Sequence, residues 1–276
     1  MNYGFILPKG DARTAAEFAQ AAEEAGWDGF FVWDPVWGID PWVALAAAAM
    51  LTHRIKLGSM LTPVSRCRPW QLAGQTATLD NLSGGRVILA VGLGALDTGF
   101  AEFGEVTERT TRAELLDEGL EIITGLWKGQ PFSYDGKHYH IQPLQFPQLP
   151  PPPVQQPRIP IWVVGAWPRL KSMQRVLRYD GLLPAKMPAK KRKFLEVTPG
   201  DVHQMKTYIT ANRTAATHFD IVVEGKTPGI DPHKDAVAVL PWIEAGATWW
   251  LEGMWDEDQA GHVLARIRRG PPKPKD

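Results

Sequence analysis

The chain has 276 residues, 30 Lys and Arg against 30 Asp and Glu, and 44% hydrophobic residues. Zero net charge gives no footprint for nucleic acid or an anionic membrane surface, and no apolar run approaches the roughly 20 residues that span a bilayer. The lone cysteine, Cys67, excludes an intrachain disulfide and a thiolate metal cluster, and suits a reducing cytoplasm, so a cytoplasmic protein is expected.

In chain order, Tyr3–Leu7 reads as a first strand, too short an apolar run for a signal peptide. A helix follows from an Asp11 cap, with Ala15, Phe18, Ala19 and Ala22 at helical spacing and Gly26 at its end. Gly29–Trp33 is a second strand and Pro41–Leu51 a second helix. Ile55–Leu61 and Arg86–Val91 are short apolar runs suited to strands buried on both faces of a parallel sheet. Between them Leu72, Thr76 and Leu79 share one helix face, stopped by Ser83-Gly84-Gly85. The fourth helix, Thr110–Trp127, carries the stripe Leu116, Leu120, Ile123 and Trp127.

Gly129–Arg158 then breaks the strand–helix rhythm. Phe132–Tyr134 and Tyr139–Ile141 flank Asp135-Gly136, which predicts a β-hairpin, and a proline-rich crossing follows. The rhythm resumes with strand Ile159–Val164, helix Leu170–Arg178 and a short strand Gly181–Leu183. Ala185–Val197, with Lys190, Lys191, Arg192 and Lys193 in succession, reads as a basic loop bordering a pocket mouth. Helix six opens at Thr198-Pro199. His218–Val223, Asp235–Ala245, Thr248–Leu251 and Gln259–Arg268 complete eight units. Eight alternating units in a chain near the ~250 residues of a typical barrel predict one α/β domain over 1–276. The expected fold is a single (β/α)8 TIM barrel with a hairpin-containing insertion between helix 4 and strand 5.

In such a barrel the chemistry sits on loops after strand ends. Gly165-Ala166-Trp167-Pro168 follows the fifth strand and opens a helix, so backbone amides can approach a phosphate there, with Arg169 adding charge. Gly92-Leu93-Gly94 follows the fourth strand. It lacks the third glycine of a dinucleotide fingerprint, since Asp97 stands in that place, but can form a backbone wall against a flat ring. Asp34 ends the second strand and either orients a ligand or caps its own loop. Trp33, Trp37, Trp167, Trp250 and Trp255 fall at or near strand ends, where planar side chains suit a planar ligand. His138 and His140 have a metal-pair spacing but lie in the hairpin, so no metal site is assigned. Arg66 and Arg68 flank Cys67 and can reach an anion.

Several of these segments together resemble one family. LGSMLTP, Arg68 before Pro69-Trp70, TLDNLSGGR and VGLG are similar to the core of the luciferase-like flavin-dependent oxidoreductases, the bacterial luciferase-like monooxygenase superfamily. The resemblance continues through Phe103-Gly104, Arg109, Arg112, LLDEGLEIITGLWKG, FSYDGKHY, IPIWVVGAWP and EAGATWW. It implies a TIM barrel that binds FMN, or in the alternative a deazaflavin coenzyme, with cofactor contacts at Gly92, Leu93 and Gly94 and a phosphate grip at Gly165, Ala166 and Trp167. It also implies a non-proline cis peptide under the ring, carried by residue matching to Ser59-Met60. Deazaflavin-dependent relatives often place an Asp-His pair where this chain has Asp34-Pro35. A sugar-phosphate dehydrogenase branch has a glutamate where this chain has Ala95. Both departures speak against that activity; Asp34 is kept as a catalytic candidate beside its loop-capping reading.

The resulting expectation is an oxidoreductase, of monooxygenase class, using reduced FMN on a small organic substrate. The alternatives are deazaflavin-dependent hydride transfer and a non-catalytic flavin-binding protein. Expected partners are a small-molecule substrate, a supplier of reduced cofactor such as a flavin reductase, and a second copy of the chain in a homodimer; neither nucleic acid nor membrane is expected.

Overall fold

The periodicities of the sequence become the following elements in a computed structural model that describes residues 1–129, 131–144, 151–188 and 194–273. β1 (Asn2–Leu7), α1 (Ala12–Glu24), β2 (Gly29–Val32), α2 (Pro41–Leu51), β3 (Lys56–Ser59) and β4 (Thr62–Pro63) come first. α3 (Pro69–Ser83), β5 (Val87–Gly92), α4 (Arg109–Lys128), β6 (Phe132–Asp135) and β7 (His140–Leu144) follow. The chain ends with β8 (Ile161–Trp167), α5 (Leu170–Val176), β9 (Gly181–Lys186), α6 (Pro199–Asn212), β10 (Asp220–Gly225), α7 (Pro232–Ala245), β11 (Trp249–Gly253) and α8 (Ala260–Arg268).

Short polar side chains start the helices where the sequence predicts. Asp11 accepts the Thr14 amide at 2.9 Å, and Asp40 accepts those of Trp42 and Val43 at 2.9 and 3.0 Å. Thr198 and Asp201 form a reciprocal capping box on α6. α3 ends at Gly84, φ +67°, a left-handed cap that glycine adopts without a Cβ clash.

The strands run parallel in the closed order β1, β2, β3, β5, β8, β9, β10, β11, with β11 pairing back onto β1. This is the predicted (β/α)8 barrel. β4 prolongs the third stave and pairs with β5. The insertion lies where expected, as the antiparallel hairpin β6–β7 outside the barrel.

Alternation along each strand sorts the side chains into two layers. Outward residues such as Phe5, Leu57, Leu89 and Val163 pack against the helices, while Ile6, Phe31, Ile88, Trp162, Trp249 and Leu251 fill the barrel. Phe31, Trp162 and Trp249 form a plug, with ring centroids 5.2 to 6.2 Å apart. Glycines make room for it. A Cβ on Gly181 would lie 2.3 Å from the Trp162 ring, and one on Gly29 would lie 2.7 Å from Phe31. Arg86 closes the base: its buried guanidinium donates to the Thr52 hydroxyl and to the carbonyls of Ala49, Thr52, Ile55 and Ser83.

Two local expectations are corrected. The non-proline cis peptide is Met60–Leu61, one residue beyond Ser59-Met60. The Met60 amide still donates to Val32 C=O at 2.8 Å, so the ladder with β2 holds the chain extended through Ser59. The sixth barrel strand does not stop at Leu183. β9 pairs with β8 through Lys186, so Ala185 and Lys186 belong to the barrel and not to the basic loop. The run Lys190–Lys193 and Pro150 lie outside the described residues. Among the described residues no helix is long and apolar enough to cross a membrane.

Candidate active site at the barrel mouth

The same parity that places the plug identifies what faces the strand C-terminal ends. The last inward positions of β5, β8, β9, β10 and β11 are Gly92, Ala166, Ala185, Glu224 and Gly253. Four of the five are the smallest side chains available. The barrel is therefore filled at its base by aromatic rings and left shallow at its mouth. Trp33 continues the inward face of β2, and Met60 that of β3. Leu61 and Val164 wall the floor, each 2.9 Å from where a Cβ on Gly92 would lie.

Glu224 is the group that sequence reading missed. It rises among these small residues, open to solvent yet enclosed by protein, and burial pushes its carboxyl above the usual glutamate range. The Trp255 indole N–H donates to Oε1 and draws the value partly back. Trp255 in turn stands edge-on to Trp33, with centroids 5.8 Å apart. Gly253 leaves space for the pair, since a Cβ there would lie 2.8 Å from the Trp255 nitrogen and 3.2 Å from Glu224 Oε1. A strand pattern Ile-Val-Val-Glu-Gly carried the signal: a carboxylate at an inward-parity position at the end of an apolar strand.

The residues expected from sequence divide between the mouth and its supports. Met60, Gly92 and Ala166 face the mouth. Ser59 does not; its hydroxyl is buried at 2.8 Å from that of Thr62. Leu93 packs toward the outer core, and its carbonyl and that of Gly94 accept from Arg112 Nη1 at 2.7 and 3.2 Å, which pins the loop. Gly94, φ +76°, sits against Phe100 and Pro63.

Gly165 points away from the mouth, into the layer beneath α5. A Cβ there would lie 2.3 Å from Leu182, 3.0 Å from Met173 and 3.1 Å from Val176. Trp167 packs edge-on to Tyr208 at 5.7 Å. Ala166, Trp167, Pro168 and Arg169 form a tight turn with a cis Trp167–Pro168 bond, and the Arg169 amide donates to Ala166 C=O at 2.7 Å. The Ala166 amide is already taken by Ser172 Oγ at 2.9 Å. The helix after it has only seven residues. Positive charge at this rim comes instead from side chains. Arg169 donates to the carbonyls of Met187 and Pro188 at 3.2 and 3.1 Å, and Arg109 Nη1 lies 2.7 Å from Met187 Sδ. Burial lowers the Arg109 pKa, and the nearby Arg169 and Arg175 lower it further.

Asp34 is engaged in the loop. It accepts from Arg66 Nη2 at 2.6 Å, and burial pushes its carboxyl up while Arg66 and the Thr62 hydroxyl pull it back. Burial pushes the neighbouring Cys67 thiol up to about 12, so it is not a thiolate near neutral pH. Trp250 faces outward against Trp242, and Trp37 is exposed, stacked on Phe103. His138 and His140 each bind their own carboxylate, Glu114 at 2.8 Å and Asp135 at 2.6 Å.

The family profile described as luciferase-like monooxygenase matches residues 3–195. The chain belongs to that family. An uncharacterized protein of Mycobacterium tuberculosis is 30% identical over 95% of this chain and 96% of its own length. The F420-dependent glucose-6-phosphate dehydrogenase of Gordonia bronchialis is 33% identical over 57% of this chain, which spans about half (48%) of that enzyme. Among solved structures, an F420-dependent secondary alcohol dehydrogenase in complex with an F420–acetone adduct superposes with a TM-score of 0.78, at 16% identity over 100% and 99% of the two chains. The FMN complex of the oxygenating constituent of 3,6-diketocamphane monooxygenase from Pseudomonas putida does so at 0.66, with 20% identity over 87% and 71%. Those likenesses establish a shared fold.

Proposed function

We infer that this luciferase-like oxidoreductase holds a flavin-type ring over the floor of Gly92, Ala166 and Ala185, against Met60 and Leu61. The observation that carries the reading is the mouth itself: a barrel packed with aromatics at its base and lined with glycine and alanine at its strand ends. Beside Gly92 the Leu61 and Val164 side chains leave no room for a Cβ, so this strand end presents backbone and apolar side chains, a surface that suits a flat ring. Arg109 and Arg169 supply the cationic rim for an anionic cofactor tail, and charge-assisted hydrogen bonds there are the strong kind. When bound, the ring supplies hydride or, for reduced FMN, oxygen activation. The chain orients it, keeps its carbon face partly dry and presents Glu224 beside it.

The deazaflavin coenzyme is the preferred cofactor in this reading. Supporting it is the similarity over 57% of the chain to dehydrogenases named for F420. Asp34-Pro35 and Ala95 separate this chain from their sugar-phosphate activity, so the substrate is a different small organic molecule. FMN with monooxygenation is the second reading, favoured by the family description over residues 3–195. In that case a flavin reductase or another donor supplies the reduced ring. Titrating the purified protein side by side with F420 and FMN tests the preference. Deazaflavin binding at least ten times tighter is the expected outcome. The reverse order moves the assignment to FMN, and binding of neither sinks the reading of the mouth.

A further inference from the structure

We propose that Glu224 is the proton-exchanging group of the mouth, and that the substrate is a neutral alcohol or carbonyl compound whose oxygen meets it. This rests on the reading of the mouth as a redox site. Three independent placements converge on the residue. Its parity with Val222 and its register with Leu251 turn it into the barrel. The four other strand-end positions around it, Gly92, Ala166, Ala185 and Gly253, carry no polar side chain atom, so among these five described positions it is the ionisable one. The indole of Trp255 holds Oε1, and Trp33 braces Trp255, which leaves Oε2 with no protein partner among the described residues.

On the neighbouring strands the charged groups turn away from the mouth or lie beyond the strand ends. On β9, Lys186 reaches outward to Asp201 at 2.9 Å. On β11, Glu252 faces the helix layer, bound by Thr227, Trp250 and Arg266. Beyond β2, Asp34 is paired with Arg66 at 2.6 Å. Lys226 lies past the end of β10. Glu224 therefore faces the mouth with a carboxyl whose ionisation the surrounding protein disfavours, a shift in the direction that suits a group exchanging protons with a ligand.

The step balances as follows. In the oxidising direction the substrate C–H bond breaks and its hydride, with the electron pair, passes to the oxidised ring cofactor. The O–H bond breaks, its proton goes to the Glu224 carboxylate, and C=O forms. In the reducing direction the carbonyl carbon would receive hydride and its electron pair from the reduced ring, and the Glu224 acid would give its proton to the oxygen. A neutral oxygen function is favoured over an acid, because a substrate carboxylate against Glu224 would add like charge in a half-dry site.

Glu224→Gln keeps the shape and an oxygen for Trp255, and it separates the roles. In the cofactor-free protein, intrinsic tryptophan fluorescence titrated from pH 3.5 to 8 should show an inflection above the ordinary glutamate value of about 4.3. That inflection should vanish in Glu224→Gln and persist in Glu257→Gln. An inflection at the ordinary value, or one that survives in Glu224→Gln, overturns the proposal. In the loaded enzyme, F420 and FMN affinities should stay within about threefold of wild type. Cofactor turnover with a panel of simple secondary alcohols and ketones should fall by about 10²-fold or more and lose its dependence on that ionisation. Equal turnover in wild type and Glu224→Gln also overturns it. Failure of the wild type to bind either cofactor refutes the redox reading instead, while the fluorescence titration still decides the state of Glu224.

Discussion

At Gly165 one missing Cβ separates two readings of the same loop. The sequence motif suggests backbone facing a phosphate, but the residue packs under α5, where a Cβ would lie 2.3 Å from Leu182. Gly165→Asp is therefore expected to fail in folding before it fails in binding. Overpacking costs about 1–3 kcal/mol, and an unpaired buried carboxylate adds several more. Circular-dichroism melting should show a large loss of Tm; a native Tm with weakened cofactor binding would return the residue to the phosphate site. At Glu224 the folded state binds the proton more tightly than the unfolded chain, because burial raises its pKa. Its stabilising contribution is thus fully present below the unfolded value of about 4.3 and is lost as pH rises through the folded value. The Tm of Glu224→Gln relative to wild type should climb between pH 4 and pH 8. A difference that stays flat would mean the carboxyl is ordinarily solvated.

At the level of elements, the hairpin β6–β7 is held to α4 by Glu114, Glu118 and Glu121, and Glu118 takes the backbone of its turn. Glu118 on α4 accepts the amides of Lys137, His138 and Tyr139 at 2.9 to 3.2 Å. The tight turn brings Gly136 so close that a Cβ would lie 2.4 Å from Glu118 Oε2. Removing the acceptor in Glu118→Ala should free these amides. A hydrogen bond to a charged group contributes about 1.5–3 kcal/mol, so their hydrogen exchange should accelerate by roughly 10- to 100-fold, with β5 and β8 unchanged. Unaltered exchange at residues 137–139 would show that other contacts anchor the hairpin. The hairpin, the strands and the caps were legible because each is written locally. Asp135-Gly136 gives a turn, and Asp11, Asp40 and Thr198 give helix starts. The exact stop of β9 was not, because Pro184 and Ala185 read as loop residues and only pairing with β8 keeps them extended.

For the whole molecule, stability and site are set by how the barrel is filled. Phe31, Trp162 and Trp249 come from three strands far apart in sequence and meet within 6.2 Å. Phe31→Ala should cost about 3–5 kcal/mol, since the plug cannot collapse onto a void bounded by rigid rings. Urea denaturation with an unchanged m-value would measure it. A loss below about 1 kcal/mol would mean the plug repacks. By lowering the floor, such a void would also reshape the mouth above it.

By itself the sequence determined the eightfold strand–helix order, the helix caps, the hairpin insertion and the family, because hydrophobic period, capping chemistry and short motifs act over a few residues. It also singled out Gly92, Ala166 and Met60, which the fold places at the barrel mouth. What only the tertiary structure decided was which face of each strand looks inward. Parity within a strand is visible in sequence, but in a strand buried on both faces the apolar pattern does not say which set is inside. Closing the barrel chose. It sent Gly165 and Trp250 to the helix layer, tied Asp34 to Arg66, and brought Glu224, Trp255 and Trp33 together from three staves at one open end.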